Sequence, residues 1–143
     1  MTEGNITDVR SFNRFYTQII GLLDKHILNS QYSLLEVRIL YELYHREGTS
    51  ASEIMLSLNI DKGNLSRVLR YFEKKKLLTK KRSINDGRSA YLHLTVAGKK
   101  EFEALNDASS RQIKEILKNL STADCDRLIQ YMAGIKIILS NVG

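Results

Sequence analysis

Ser50-Ala51-Ser52-Glu53-Ile54-Met55-Leu56-Ser57-Leu58-Asn59-Ile60-Asp61-Lys62-Gly63-Asn64-Leu65-Ser66-Arg67-Val68-Leu69-Arg70-Tyr71-Phe72 contains two short apolar periods separated by three residues. Ser50 and Glu53 have capping-box spacing, in which a hydroxyl and a carboxylate satisfy each other's backbone amides at a helix start. Ala51, Ile54, Met55 and Leu58 then fall at i, i+3, i+4 and i+7, one face of a short helix. Asn59-Ile60-Asp61 leaves room only for a tight turn, and Asp61 is a good N-cap for the next helix. Leu65, Val68, Leu69 and Phe72 repeat the helical spacing. Two short amphipathic helices joined by such a turn form a helix-turn-helix.

The flanks extend the pattern. Upstream, Ser33-Leu34-Leu35-Glu36 is another capping box, opening a helix to about Arg46. Its two apolar stripes, Val37, Leu40, Tyr41, Tyr44 and Leu35, Ile39, Leu43, predict packing from two sides. Earlier still, Phe12, Phe15, Tyr16, Ile19 and Leu23 form one face of a helix from about Thr7 to Leu28. Downstream the period changes to two. Leu78, Lys80 and Arg82 alternate with Thr79 and Lys81, and Ala90, Leu92 and Leu94 with Tyr91 and His93. Asn85-Asp86-Gly87 between them is a turn signal, so a short hairpin is expected. Thr95 then caps a helix to about Asn119, and Ser121 opens a last helix. Leu128, Met132, Ile135 and Leu139 on that helix form a seam suited to another helix. Proline, which breaks helix interiors, does not occur in the 143 residues.

Composition narrows the function. One cysteine and three histidines leave too few ligands for a zinc finger or a disulfide framework, so no metal or other cofactor is expected. The N-terminus has no apolar leader, and no run of about 18 apolar residues spans a membrane. A soluble cytoplasmic protein is therefore expected. The net charge is +6, but it is unevenly placed. From Lys62 to Lys100 stand twelve Lys or Arg against two acidic residues, Glu73 and Asp86, whereas the remainder is mildly acidic. Such a block is the footprint of a polyanion partner.

On a helical wheel, Leu65, Val68, Leu69 and Phe72 cluster on one side of the second helix. Gly63, Arg67, Arg70 and Lys74 lie opposite, with Ser66 flanking. Such a helix fits the major groove of double-stranded DNA, where its N-terminal residues reach base edges. Lys62, Asn64, Ser66 and Arg67 are accordingly the candidates for bases or nearby phosphates, and Arg70 and Lys74 for phosphates. Arg88, at the hairpin tip, is the candidate for an A·T-rich minor groove, with Asp86 supporting the turn.

Ser33-Leu34-Leu35-Glu36-Val37-Arg38-Ile39-Leu40, Asp61-Lys62-Gly63-Asn64-Leu65-Ser66-Arg67, Asp86-Gly87-Arg88 and Leu94-Thr95-Val96-Ala97-Gly98 occur in order at characteristic spacing. With them the chain resembles the MarR (multiple-antibiotic-resistance regulator) family of transcription factors. The stretch from Phe12-Asn13-Arg14-Phe15-Tyr16 to Arg67 is most similar to the regulator half of MarR–acetyltransferase fusions, although no acetyltransferase domain is expected before Gly143. The resemblance implies a mainly α fold with a small β-hairpin wing: a winged helix-turn-helix with long terminal dimerisation helices. It implies a DNA-binding lobe over about 33–94, with dimerisation helices over about 7–28 and 95–140. Phe12, Leu128, Met132, Ile135 and Leu139 are then dimer contacts. Many family members are repressors released by a small phenolic or other ligand. The family's effector site, between the lobe and the dimer helices, points here to Tyr16, Tyr32 and Tyr44.

Two departures stand out. The family usually has glycine just after the recognition helix, where this chain has Lys76. A positive φ there would be costly for lysine. Redox-sensing members carry a cysteine in the first helix, whereas Cys125 opens the last one, where a helix N-terminus can activate a thiol or the residue can simply pack. The competing functional readings are a winged-helix protein-interaction module, an RNA binder with Tyr71 and Tyr91 as stacking groups, or a small enzyme. Against the last, His26, His45 and His93 stand in no catalytic motif.

Overall fold

A computed structural model describes residues 1–27, 31–82 and 90–142, without the side chains of Ile20 and of residues 22–27. The helices are α1 (Glu3–Ile27), α2 (Leu34–His45), α3 (Ala51–Leu58), α4 (Lys62–Lys74), α5 (Val96–Leu117) and α6 (Thr122–Leu139). Strands β1 (Leu78–Arg82) and β2 (Ala90–Leu94) follow α4. The chain divides into two compact units, Met1–Ser109 and Ser110–Gly143, and α5 runs from the first into the second.

The first unit starts its helices where hydroxyls and carboxylates stand ready to cap them. Ser33 accepts from the Glu36 amide, and Glu36 accepts from the Ser33 amide at 2.9 Å, which completes the expected box. At Ser50 only one arm forms. The hydroxyl accepts from Glu53 N at 3.2 Å, but the Glu53 carboxylate is held by Arg46 at 2.9 Å and by the Thr49 hydroxyl at 3.2 Å. A guanidinium attracts the carboxylate more strongly than a neutral amide does. Arg46 also donates to Ser57 Oγ at 2.8 Å, so it ties the end of α2 to both ends of α3.

The core of this unit contains Ile39, Leu40 and Leu43 from α2, Ile54 from α3, and Leu65, Leu69 and Phe72 from α4. Leu78, Leu92 and Leu94 join it from the hairpin, and Phe102 and Leu105 from α5. Full burial of such a side chain contributes about 1.5–3 kcal/mol, so three on α4 hold that helix firmly. Of the two α2 stripes, Tyr41 stays half exposed and Leu40 is fully buried. The strands pair antiparallel, Leu78 opposite Leu94 and Lys80 opposite Leu92. A third short segment joins them. Gly48 N donates to Leu92 O at 3.0 Å, and Leu92 N to Thr49 O at 2.8 Å. Gly48 permits this with φ +80°.

The end of α4 explains the lysine at position 76. Leu77 N donates to Phe72 O and Lys76 N to Glu73 O, both at 2.9 Å. This is the Schellman pattern, which needs a left-handed residue at the position Lys76 occupies. Lys76 has φ +62°. The next step of the chain then meets α5. Thr95 N donates to Leu77 O at 2.9 Å, and its hydroxyl donates to Lys76 O at 2.8 Å while accepting from Gly98 N at 3.1 Å. A Cβ at Gly98 would overlap the Leu77 carbonyl oxygen.

In the second unit, Ser121 caps α6 by accepting from Asp124 N, and none of the α6 residues is buried.

The turn gives a paired expectation. Lys76→Gly should stabilise the protein by about 1 kcal/mol, or about 3 °C in Tm, by removing left-handed strain. Gly98→Ala should destabilise it by about 1–3 kcal/mol through overpacking. Thermal unfolding followed by circular dichroism measures both, and equal Tm values for wild type and Lys76→Gly would contradict the strained turn.

Candidate nucleic-acid interface

The helix-turn-helix aims one face of α4 outward. Asn59 closes α3 in the left-handed region at φ 50°, which asparagine tolerates, and Asp61 then caps α4. Leu65, Leu69 and Phe72 point inward. On the opposite face Arg67, Arg70 and Lys74 are exposed, Lys62 is exposed at the start of the helix, and Asn64 and Ser66 are half-buried on its flanks. The six expected contact residues on α4 therefore lie on the outward and flanking parts of one helix. Asp86 and Arg88 lie outside the described residues.

The charges of this face are partly organised already. Asp61 accepts from Asn64 N at 3.0 Å and from Asn64 Nδ2, and Asn64 Oδ1 accepts from Arg67. Arg70 Nε reaches Ser66 O at 3.4 Å. The Asn64 amide, donating to the Asp61 carboxylate, holds its pKa below the ordinary value.

In the sequence the lysines read as one block, but three are engaged elsewhere, among them Lys99, which pairs with Glu47 at 3.7 Å. Lys80 pairs with Glu73 at 2.9 Å. Lys75 turns to the Tyr32 hydroxyl at 3.3 Å and lies over the Tyr71 ring at 5.2 Å. Tyr71 also packs near Phe72, with ring centroids 6.0 Å apart. The Lys75–Tyr32 contact has no local sequence signal, because the two residues are far apart in the chain.

The tyrosines expected at an effector site have distinct surroundings. Tyr16 stacks on Phe12 at 5.5 Å. Tyr32 is buried in the core, which raises its hydroxyl pKa by desolvation. Tyr44 donates to Glu103 at 2.9 Å. A cavity of about 420 Å³ opens elsewhere, between α3, α4 and the hairpin, with Ser52, Ser66, Arg70 and Lys80 among its walls. None of the three tyrosines lines it. Among the expected dimer residues, Phe12, Met132, Ile135 and Leu139 are exposed and Leu128 is half-buried. Cys125 is a half-buried free thiol. Among the described residues no group of acidic, histidine and cysteine side chains could hold a metal, and no helix is long and apolar enough to cross a membrane.

A docked helix pair, a hairpin and an outward cationic stripe define a winged helix-turn-helix protein. Residues 30–89 match the family model described as MarR family. The HTH-type transcriptional regulator YdgJ of Bacillus subtilis is 28% identical over 125 residues, spanning 87% of this chain and 75% of that protein. FabT of Streptococcus pneumoniae, solved in complex with DNA, has a TM-score of 0.81 over 94% of this chain and 99% of its own, at 18% identity. PcaV of Streptomyces coelicolor, solved with its natural ligand, has a TM-score of 0.75 over 92% of each chain at 20% identity. The fold is that of the winged-helix structures of this family, and residues 30–89 are similar to its model.

The Asp61 cap carries a pH dependence. Its folded pKa is depressed, so its contribution is present above the unfolded pKa and lost as pH falls through the folded one. Asp61→Asn keeps a capping oxygen but cannot titrate. The Tm advantage of wild type over this variant should therefore shrink as pH falls below about 4. A difference that stays constant through the acid range would contradict an ionised cap.

Proposed function

We propose that the chain is a sequence-specific, double-stranded DNA-binding regulator that acts as a homodimer on a pseudo-palindromic operator. The observation that carries this reading is the outward stripe of Arg67, Arg70 and Lys74 on a helix whose other face is buried. The stripe enters the major groove, with Arg67 and its neighbours near bases and Arg70 and Lys74 on phosphates. Arg88, supported by Asp86, reaches a minor groove, by its place in the sequence at the hairpin tip. Regulation is repression relieved by a small aromatic or phenolic effector held near Tyr16, Tyr32 and Tyr44, and the protein works in the cytoplasm. The ligand-bound neighbour supports a ligand-responsive regulator. Kinship with the regulator half of MarR–acetyltransferase fusions rests on the sequence stretch Phe12 to Arg67.

The experiment is selection from random duplexes, with titration of the selected site and a scrambled one. Arg67→Ala should cost about 1–3 kcal/mol on the selected site and less on the scrambled one. Lys74→Ala should weaken both alike and reduce the salt slope by about one. Equal losses for Arg67→Ala on both duplexes would reassign Arg67 to the phosphates.

Dimerisation rests on α6. It has no buried residue, and Ile129, Tyr131, Met132, Ile135, Ile138 and Leu139 are exposed. Contiguous apolar surface of this kind marks an association site. Sedimentation at micromolar concentration should give a dimer of the 16.4 kDa chain, and half-sites about 34 Å apart. A monomer, or a selected site without a dyad, would overturn the dimer.

A further inference from the structure

The start of α4 holds an acid on a face otherwise built of cations. Asp61 is fully exposed and ionised, in the position where a polyanion would approach. A cap alone does not require this. Serine and threonine do the same work in this chain: Ser33, Ser50, Thr95 and Ser121 cap α2, α3, α5 and α6. Serine caps about as well as aspartate. The carboxylate differs in having two oxygens and a longer reach. One oxygen takes the Asn64 amide at 3.0 Å, and the other takes the Asn64 side-chain Nδ2. Gly63 leaves space for this, because a Cβ there would stand 3.2 Å from Asp61 Oδ2.

The chemistry of the three side chains fixes the direction of the relay. A carboxylate only accepts and a guanidinium only donates. Asn64 lies between them, so its nitrogen must face Asp61 and its oxygen Arg67. Arg67 spends one N–H on Asn64 and keeps four, enough for a bidentate contact with guanine. We propose that Asp61 is a specificity-determining positioning residue, which acts through Asn64 to aim Arg67 at one base pair. Asn64 serves as the coupling group and does not read adenine independently. This inference rests on the duplex-reading function proposed above and says how that reading is made sharp.

The test measures base preference at every position of the selected duplex by single-base-pair substitution. Wild type is compared with Arg67→Ala, Asn64→Ala, the double variant, Asp61→Ser and Asp61→Asn, with Tm recorded for each. Arg67→Ala should lower discrimination at one base pair about tenfold. Asn64→Ala should lower it at the same base pair, and the double variant should be no worse than Arg67→Ala alone. Asp61→Ser keeps a capping oxygen and should lower Tm no more than Asp61→Asn does, but it cannot span to Nδ2, so the same base pair should lose discrimination. Asp61→Asn keeps one oxygen for the Asn64 backbone amide but turns an N–H toward Asn64 Nδ2, so it should lose discrimination at the same base pair as Asp61→Ser does. Asn64→Ala acting at a different base pair, additive losses, or unchanged preference in Asp61→Ser would overturn the inference and leave the DNA-binding reading standing. A wild-type chain that selects no sequence would overturn both.

Discussion

The contact between Gly98 and the Leu77 carbonyl is the constraint on which the first unit depends. It places the start of α5 against the turn that ends α4, at a distance no other side chain would permit. The turn can present that carbonyl only because Lys76 adopts a left-handed conformation. Thr95 then locks the arrangement from both sides, bonding the Lys76 and Leu77 carbonyls and capping α5. Polar groups left by the end of one helix are satisfied by the start of another, as buried backbone requires. The direction of α4, and with it the outward stripe, is set by this junction and by the three side chains that α4 buries.

Most of this frame is legible in the sequence because it is written locally. The 3.6-residue spacing of Ala51 to Leu58 and Leu65 to Phe72, the change of period at Leu78, and the caps at Ser33, Asp61, Thr95 and Ser121 each involve neighbours in the chain. Even the strain at Lys76 can be anticipated from one unexpected residue. The features that are not legible are non-local. Thr49 pairing with Leu92 has no repeat to reveal it, and Glu53 abandons its capping arm for Arg46, which the box pattern cannot foresee. Lys75 reads as one more surface cation until the fold brings Tyr32 beside it. The tyrosines expected around an effector are placed by family resemblance alone. The structure shows them stacked, buried or hydrogen-bonded in the single chain, each with partners that sequence spacing does not encode.

The basic segment therefore divides into groups with different physical roles. Lys75 is spent on aromatic rings and a hydroxyl, and Lys80 is offset by Glu73. Arg70 and Lys74 remain on the outer face of α4, where charge attracts phosphate whatever the base. Near the N-terminus of the helix, Arg67 is held by its hydrogen bond to Asn64 before any partner arrives. A preorganised donor loses less conformational freedom on binding than a free side chain does. Counting positive charge predicts affinity; the hydrogen bonds that hold each charge predict what it can read.

The second unit poses the complementary problem. An 18-residue helix bearing Ile129, Ile135, Ile138 and Leu139 on its surface is uncovered in one chain. Burying such side chains is worth about 1.5–3 kcal/mol each, a driving force that an isolated chain forgoes. A single recognition helix also reads only a few base pairs, too few to single out one site. The proposed pairing of two chains through a two-fold axis would answer both, because an isologous interface buries the same surface twice and presents two such helices. In the proposed dimer the apolar surface on α6 and the short reading face on α4 would each gain what a single chain lacks.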